Sequence, residues 1–430
     1  MHSFNTLRLN GADYDGPASL KAGMFNTPAT PSPRQARRRM QAVAMTLACL
    51  GMPGTVHAQN SLREDLTGIH NATVTRTASD ADLGTVSATF NVTGSSNVRG
   101  IWGKTGTLSI DAIDKEAVFN VSSTRNNAFG IDAGSYSSAV NLEIGTIAGR
   151  FNISVTGTNA TGIRGYGDMI NIGTIAESAV MSITGKASSC GINSNSGGLK
   201  IGTVAGSVSV TLSDTLANAN NACALRAYGE KTGCRNVEIG TISSTGRISA
   251  KTPNGFWARG IQSRYGEVNV SQIDGQITAA AGSHDANEPV SASGIEAKYG
   301  ITIGGIGITG TINATTSSGN GYGLYAGEEG SFSDHSDITL GNIKGTIRAE
   351  AMMETVAAAR ASGSITTGDI SGTISASSMG TAAAWGLLAE FSLTTETING
   401  TVSAATAGNT AVALMGGRRH HDDYRVLRHY

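Results

Sequence analysis

Proline, charge and aromatic side chains are all scarce in this 430-residue chain. Charged residues make up 15% and aromatics 5%, where an ordinary soluble domain carries about 25% charged residues. That shortage excludes a helical bundle or coiled coil, whose exposed faces are built from Lys and Glu. Five of the seven prolines precede residue 59, leaving only Pro253 and Pro289 beyond it. A chain so poor in proline suits strands, where each backbone N–H must be free to join a ladder. Enzyme signatures are also missing. There is no His-Glu-x-x-His, no Gly-x-Ser-x-Gly elbow, no phosphate-binding Gly-x-x-x-x-Gly-Lys-Ser/Thr and no Cys-x-x-Cys. No catalytic residue, cofactor or metal is therefore expected. A formal net charge of −1 argues against nucleic acid as a partner. Glycine, by contrast, is abundant, with 57 residues. It does not fall at every third position, which excludes collagen. A hydrophobic share of 39% excludes a disordered chain.

The N-terminal segment differs from the rest. Arg34, Arg37, Arg38 and Arg39 precede an apolar stretch, Ala42 to Met52, followed by Val56-His57-Ala58. A basic region, a short apolar region and small residues at the cleavage positions make a secretory signal. Residues 1–58 are read as a signal peptide with a long basic region, cleaved after Ala58, with Met24 and Met40 as alternative starts. The 372 residues that remain hold 25 basic and 30 acidic side chains, a mildly acidic balance.

The main signal is a repeat, which has to be sought before any single element is assigned. A Gly-Ile or Gly-Leu pair recurs at Gly100-Ile101, Gly130-Ile131, Gly162-Ile163, Gly191-Ile192, Gly260-Ile261, Gly294-Ile295, Gly323-Leu324 and Gly386-Leu387. Ala224-Leu225 and Ala413-Leu414 are variants, and one degenerate unit falls near Ala358. About ten residues later comes a second line, as in Leu142-Glu-Ile144-Gly-Thr-Ile147 and Ile170-Asn-Ile172-Gly-Thr-Ile175. A third follows, as in Phe151-Asn-Ile153-Ser-Val155 and Val208-Ser-Val210-Thr-Leu212. Each alternates apolar and polar residues, the mark of a half-buried strand. Gly-Thr interrupts the alternation, so the chain turns there.

The predicted fold is an all-β parallel β-helix, or β-solenoid, of about eleven coils of ~31 residues with three short strands each. Residues 59–83 are read as a lead-in and cap, 84–417 as the solenoid, and 418–430 as an atypical tail. The residue two after each anchor is small, as at Gly103, Ala133, Gly165 and Ala227. A thin coil leaves room for one large side chain per inward pair.

The residue just after each anchor points outward and forms a candidate interaction column: Trp102, Asp132, Arg164, Asn193, Arg226, Gln262, Glu296 and Tyr325. A variable solvated face is the plainer reading, and a ligand-binding stripe the sharper one. Tyr166, Tyr228, Tyr265 and Tyr299, each before a glycine, would cover the core edge or stack on sugar rings. Phe129, Tyr322 and Trp385 lie two before the anchor, so strict alternation predicts them inward as a stacked aromatic core. The same offset puts Cys190 and Cys223 inside the core. Pairing among Cys190, Cys223 and Cys234 stays open. Trp257 is placed in a longer connection. The loop with His284, Asp285 and Glu288 is read as polar rather than metal-binding.

A signal segment followed by Gly/Ser/Thr/Asn-rich coils with Ile-Gly-Thr-Ile repeats resembles the passenger domains of bacterial autotransporters and related adhesins. The resemblance covers about residues 84–414. It implies a non-enzymatic β-helix, secreted or displayed at a Gram-negative cell surface for adhesion or structural display. The partner implied is a protein or glycan of a host or cell surface. It also implies a membrane β-barrel at the C-terminus, and this sequence has none, so contact with the outer membrane would need a separate translocator. The tail Arg418 to Tyr430 lacks Gly, Ala, Ser and Thr altogether. It reads as a disordered or frameshifted end and suggests a truncated passenger. The alternative is a β-helical glycan-active enzyme with carboxylates converging on one outer face. The signal reading is checked by intact mass after export from a Gram-negative host. The expected N-terminus is Gln59, and an exported chain that keeps residues 1–58 would overturn it.

Overall fold

The computed structural model describes residues 4–8, 63–78, 80–213, 221–229, 235–282, 290–327, 336–408 and 410–417, the first of these by backbone course alone. The cleavage position at Ala58, Cys234, the loop with His284, Asp285 and Glu288, and the tail from Arg418 lie outside the described residues.

Among the described residues all regular structure is β. Strands wind into a parallel solenoid of about ten turns with roughly 30-residue spacing, forming three long sheets. The anchor sheet holds the Gly-Ile strands, twelve from Val74–Arg76 to Ala411–Gly416. The corner sheet holds the Gly-Thr strands, again twelve. The third sheet has thirteen, because Phe4–Arg8 pairs antiparallel with Thr401–Thr406. At one strand spacing per rung, twelve rungs make a stack about 50 Å long. The degenerate unit is Ala358-Ala359, with Ala359 in register between Leu324 and Leu387. Winding starts earlier than residue 84. Glu64–Leu66, Ile69–His70 and Val74–Arg76 each join one sheet.

Register stacking explains the core. A single rung buries Ile131, Leu142, Ile144, Ile147, Phe151 and Ile153, each at most 2% exposed. Full burial of such a side chain stabilises by roughly 1.5–3 kcal/mol, but only because neighbouring rungs cover it above and below. Phe90, Phe119 and Phe151 occupy one inward column of the third sheet. Their rings stack at 4.5 and 4.4 Å between centroids, 12° and 4° from parallel. His70 extends the stack at 5.2 Å. Past Phe151 the column continues as Met181, Val208 and Ile248.

Two glycine columns have separate causes. At the corner, Gly145-Thr146 both face outward between inward Ile144 and Ile147, and the ladder skips the glycine. A Cβ on Gly145 would strike the carbonyl of Asp111 one rung before. In the anchor sheet, a Cβ on Gly130 would lie 2.6 Å from the Gly162 carbonyl and 2.8 Å from the Phe151 ring. The small residue two after the anchor has a third cause. A Cβ on Gly165 would approach Ile170 of the next strand to 2.9 Å.

Gly130→Val is expected to lower unfolding free energy by about 3 kcal/mol, since overpacking forces backbone or ring displacement. Phe119→Ala should cost about 3–5 kcal/mol by breaking the stack and leaving a cavity. Gly417→Ala, with nothing within 4 Å of the added carbon, should leave the urea midpoint unchanged.

Candidate functional site

The anchor pair breaks strict alternation, and this shapes the outer face. Gly130 and Ile131 both face the core, and the ladder passes from Phe129 to Ile131 without pairing Gly130. Two consecutive inward residues require a bend. The residues two before and one after the anchor then emerge on the same outer side and lean together. On a straight strand, residues three apart lie about 10 Å apart on opposite faces. Here Tyr322 and Tyr325 stack at 4.8 Å, 19° from parallel. The outer face of the anchor sheet is therefore a crease running along the stack.

This corrects two expectations. Phe129, Tyr322 and Trp385 are not core residues, and neither are Cys190 and Cys223. They share one outer column with Arg99, Thr161, Arg259, Ser293 and Ala357. Both cysteines are buried as free thiols, packed in the crease. Burial pushes both thiols up in pKa, with the neighbouring Cys190 adding to the rise at Cys223 and Arg226 opposing it at both. Trp257 is also corrected. It opens the strand Trp257–Ser263, in register with Asn221 and Ser291.

The predicted column is present. Trp102, Asp132, Arg164, Asn193, Arg226, Gln262, Glu296 and Tyr325 stand in register on consecutive rungs. It is not a loose solvated face. Asp132, Asn193, Gln262 and Tyr325 are buried. Arg360, which the degenerate unit hid, continues the column.

Four polar networks fill the crease. Arg99 Nε donates to Asp132 Oδ2 at 2.5 Å, while Arg164 donates to both oxygens of Asp132 at 2.8 and 2.9 Å. Arg164 also lies 3.6 Å from the Phe129 ring centre, and Arg99 and Lys104 each lie 4.3 Å from that of Trp102. Farther along, Arg226 donates to the amide oxygen of Asn193 at 3.0 Å and sits 5.2 Å from the Tyr228 ring. Arg264 approaches the same ring at 4.8 Å. Next, Arg259 and Gln262 donate to the two oxygens of Glu296 at 2.7 and 2.8 Å. Arg360 then donates to the Tyr322 hydroxyl at 3.0 Å. The tyrosines at the rim differ. Tyr166 is buried, and burial raises its phenol pKa, whereas Tyr299 is 46% exposed.

Two open cavities, about 370 and 720 Å³, lie elsewhere, near Arg348–Glu350 and near Asp274–Lys344. Among the described residues, no group of three His, Cys, Asp or Glu side chains is placed to hold a metal. Comparisons with protein families, with curated proteins and with solved structures find no match.

Asp132→Ala would leave Arg99 and Arg164 facing each other without their shared carboxylate. An expected loss of about 3–5 kcal/mol follows from removing one partner of a buried pair. Glu64→Ala removes a carboxylate 58% exposed from its pair with Arg76, and should change stability by no more than about 1 kcal/mol. Urea unfolding of the two variants checks the difference.

Proposed function

We propose that this chain is a non-enzymatic β-solenoid, secreted or displayed at a cell surface, that uses the crease as a contact face. One observation carries the reading. Cation–aromatic pairs line the outer face of the anchor sheet from Arg99 with Trp102 to Arg360 with Tyr325. Such side chains supply broad contact area and oriented donors on a rigid support. Secretion rests on the signal-like segment 1–58, and surface adhesion on the resemblance to autotransporter passengers.

The competing reading is a glycan-cleaving enzyme. Glycoside hydrolysis by an acid and base pair needs two carboxyl groups roughly 5–9.5 Å apart. In the crease, Asp132 and Glu296 lie five rungs apart by register, about 24 Å. Each is engaged by arginine. This spacing favours binding over catalysis.

The test uses the exported chain coated on beads. Retention of the beads on cultured epithelial or bacterial cells is expected, with several-fold loss in Trp102→Ala and Arg226→Ala and none in Arg348→Ala. Release of new reducing ends from a glycan panel, abolished by Glu296→Gln, would replace this reading with catalysis. Equal retention of all variants would remove the crease from it.

A further inference from the structure

The crease carries an imbalance of charge that points to the class of its ligand. The mature chain is acidic overall, with 25 basic and 30 acidic side chains. Its crease is the reverse. Asp132 answers two arginines, Arg99 and Arg164. Glu296 answers one, Arg259, and Glu390 one, Arg360. Lys104, Arg226 and Arg264 have no carboxylate partner among the described residues. They lie against Trp102 and Tyr228 instead.

We propose that the crease binds a single extended chain of an acidic polysaccharide, lying along the stack with its carboxylate or sulfate groups on these cations. The inference rests on the crease being a contact face, as proposed above.

Spacing supports an extended ligand. The cations without a carboxylate are spread over five rung spacings, about 24 Å, from Lys104 to Arg264. Lys104 belongs to the rung of Ile101, Arg226 to that of Leu225 and Arg264 to that of Ile261. An extended polymer can reach all three, and a single small anion cannot. Ring access points the same way. Arg164 covers the face of Phe129 at 3.6 Å, so that ring is closed to a stacking base. A guanidinium carries its N–H edges in one plane, which suits two-point contact with a carboxylate or sulfate. The rim Tyr299, 46% exposed, presents apolar ring surface for sugar C–H groups.

Calorimetry on the exported chain tests this with three probes. They are hyaluronan oligosaccharides, the same oligosaccharides with their carboxyl groups reduced to alcohols, and single-stranded oligodeoxynucleotides of equal length. Hyaluronan is expected to bind, weakening steeply with added salt. The reduced probe should bind at least tenfold more weakly. Lys104→Gln and Arg226→Ala should each weaken hyaluronan about tenfold, Arg226→Lys less, and Arg348→Ala not at all, with matched thermal unfolding establishing that each variant is folded. Equal affinity for the reduced probe would overturn the anionic class while leaving the crease as a contact face, provided Trp102→Ala still abolishes binding. Tighter binding of the oligonucleotide would replace the glycan with nucleic acid. Binding insensitive to Lys104, Arg226 and Trp102 alike would remove both the ligand and the face.

Discussion

The structure depends on one constraint. Parallel strands stack in register at a fixed spacing, so each position repeats above itself once per turn. Any property of one rung becomes a column. An inward Phe becomes a ring stack, as in Phe90, Phe119 and Phe151. Close approach of one rung's backbone to the next becomes a glycine column, as from Gly130 to Gly162. An outward Asn becomes an amide ladder, as in Asn91, Asn120 and Asn152, bonded at 2.9 Å at both steps. The composition follows from this geometry. Lys and Glu repeated above themselves would repel, whereas Ser, Thr and Asn hydrogen-bond to their own kind.

Much of the fold was legible because columns leave a periodic trace. Gly-Ile marked the anchor, Gly-Thr marked the corner, and the spacing located the degenerate unit that proves to be Ala358-Ala359. The first rung was not legible, since Val74 stands under Ile101 without a Gly-Ile pair of its own.

The side on which a residue emerges was harder to read. Strict alternation placed Phe129, Cys190, Cys223, Tyr322 and Trp385 in the core. It failed at the glycine before the anchor, which has no side chain to reveal that it too faces inward. A signal was nonetheless present. Arg99 and Arg259 occupy that same offset, and an arginine is seldom buried in an apolar core. Reading the column through its least apolar members, rather than its most apolar ones, would have turned it outward. The candidate column itself was legible because it follows the anchor directly, with no skipped residue between.

The bend also changes what the outer face can do. On a flat sheet, outward residues of one rung stand apart and are well hydrated, and their charges are screened. In a crease, two outward columns meet, water is displaced, and ion pairs strengthen as the local dielectric falls. Asp132 can then hold two arginines at full burial. The same effect makes an unmatched cation costly unless an aromatic face or a ligand anion answers it. Lys104 and Arg226 have the aromatic face, which offsets part of that cost. A solenoid offers one residue per column per turn, so any ligand that follows the crease is read one residue per rung. That favours a partner long enough to follow several rungs and charged to meet the cations they present.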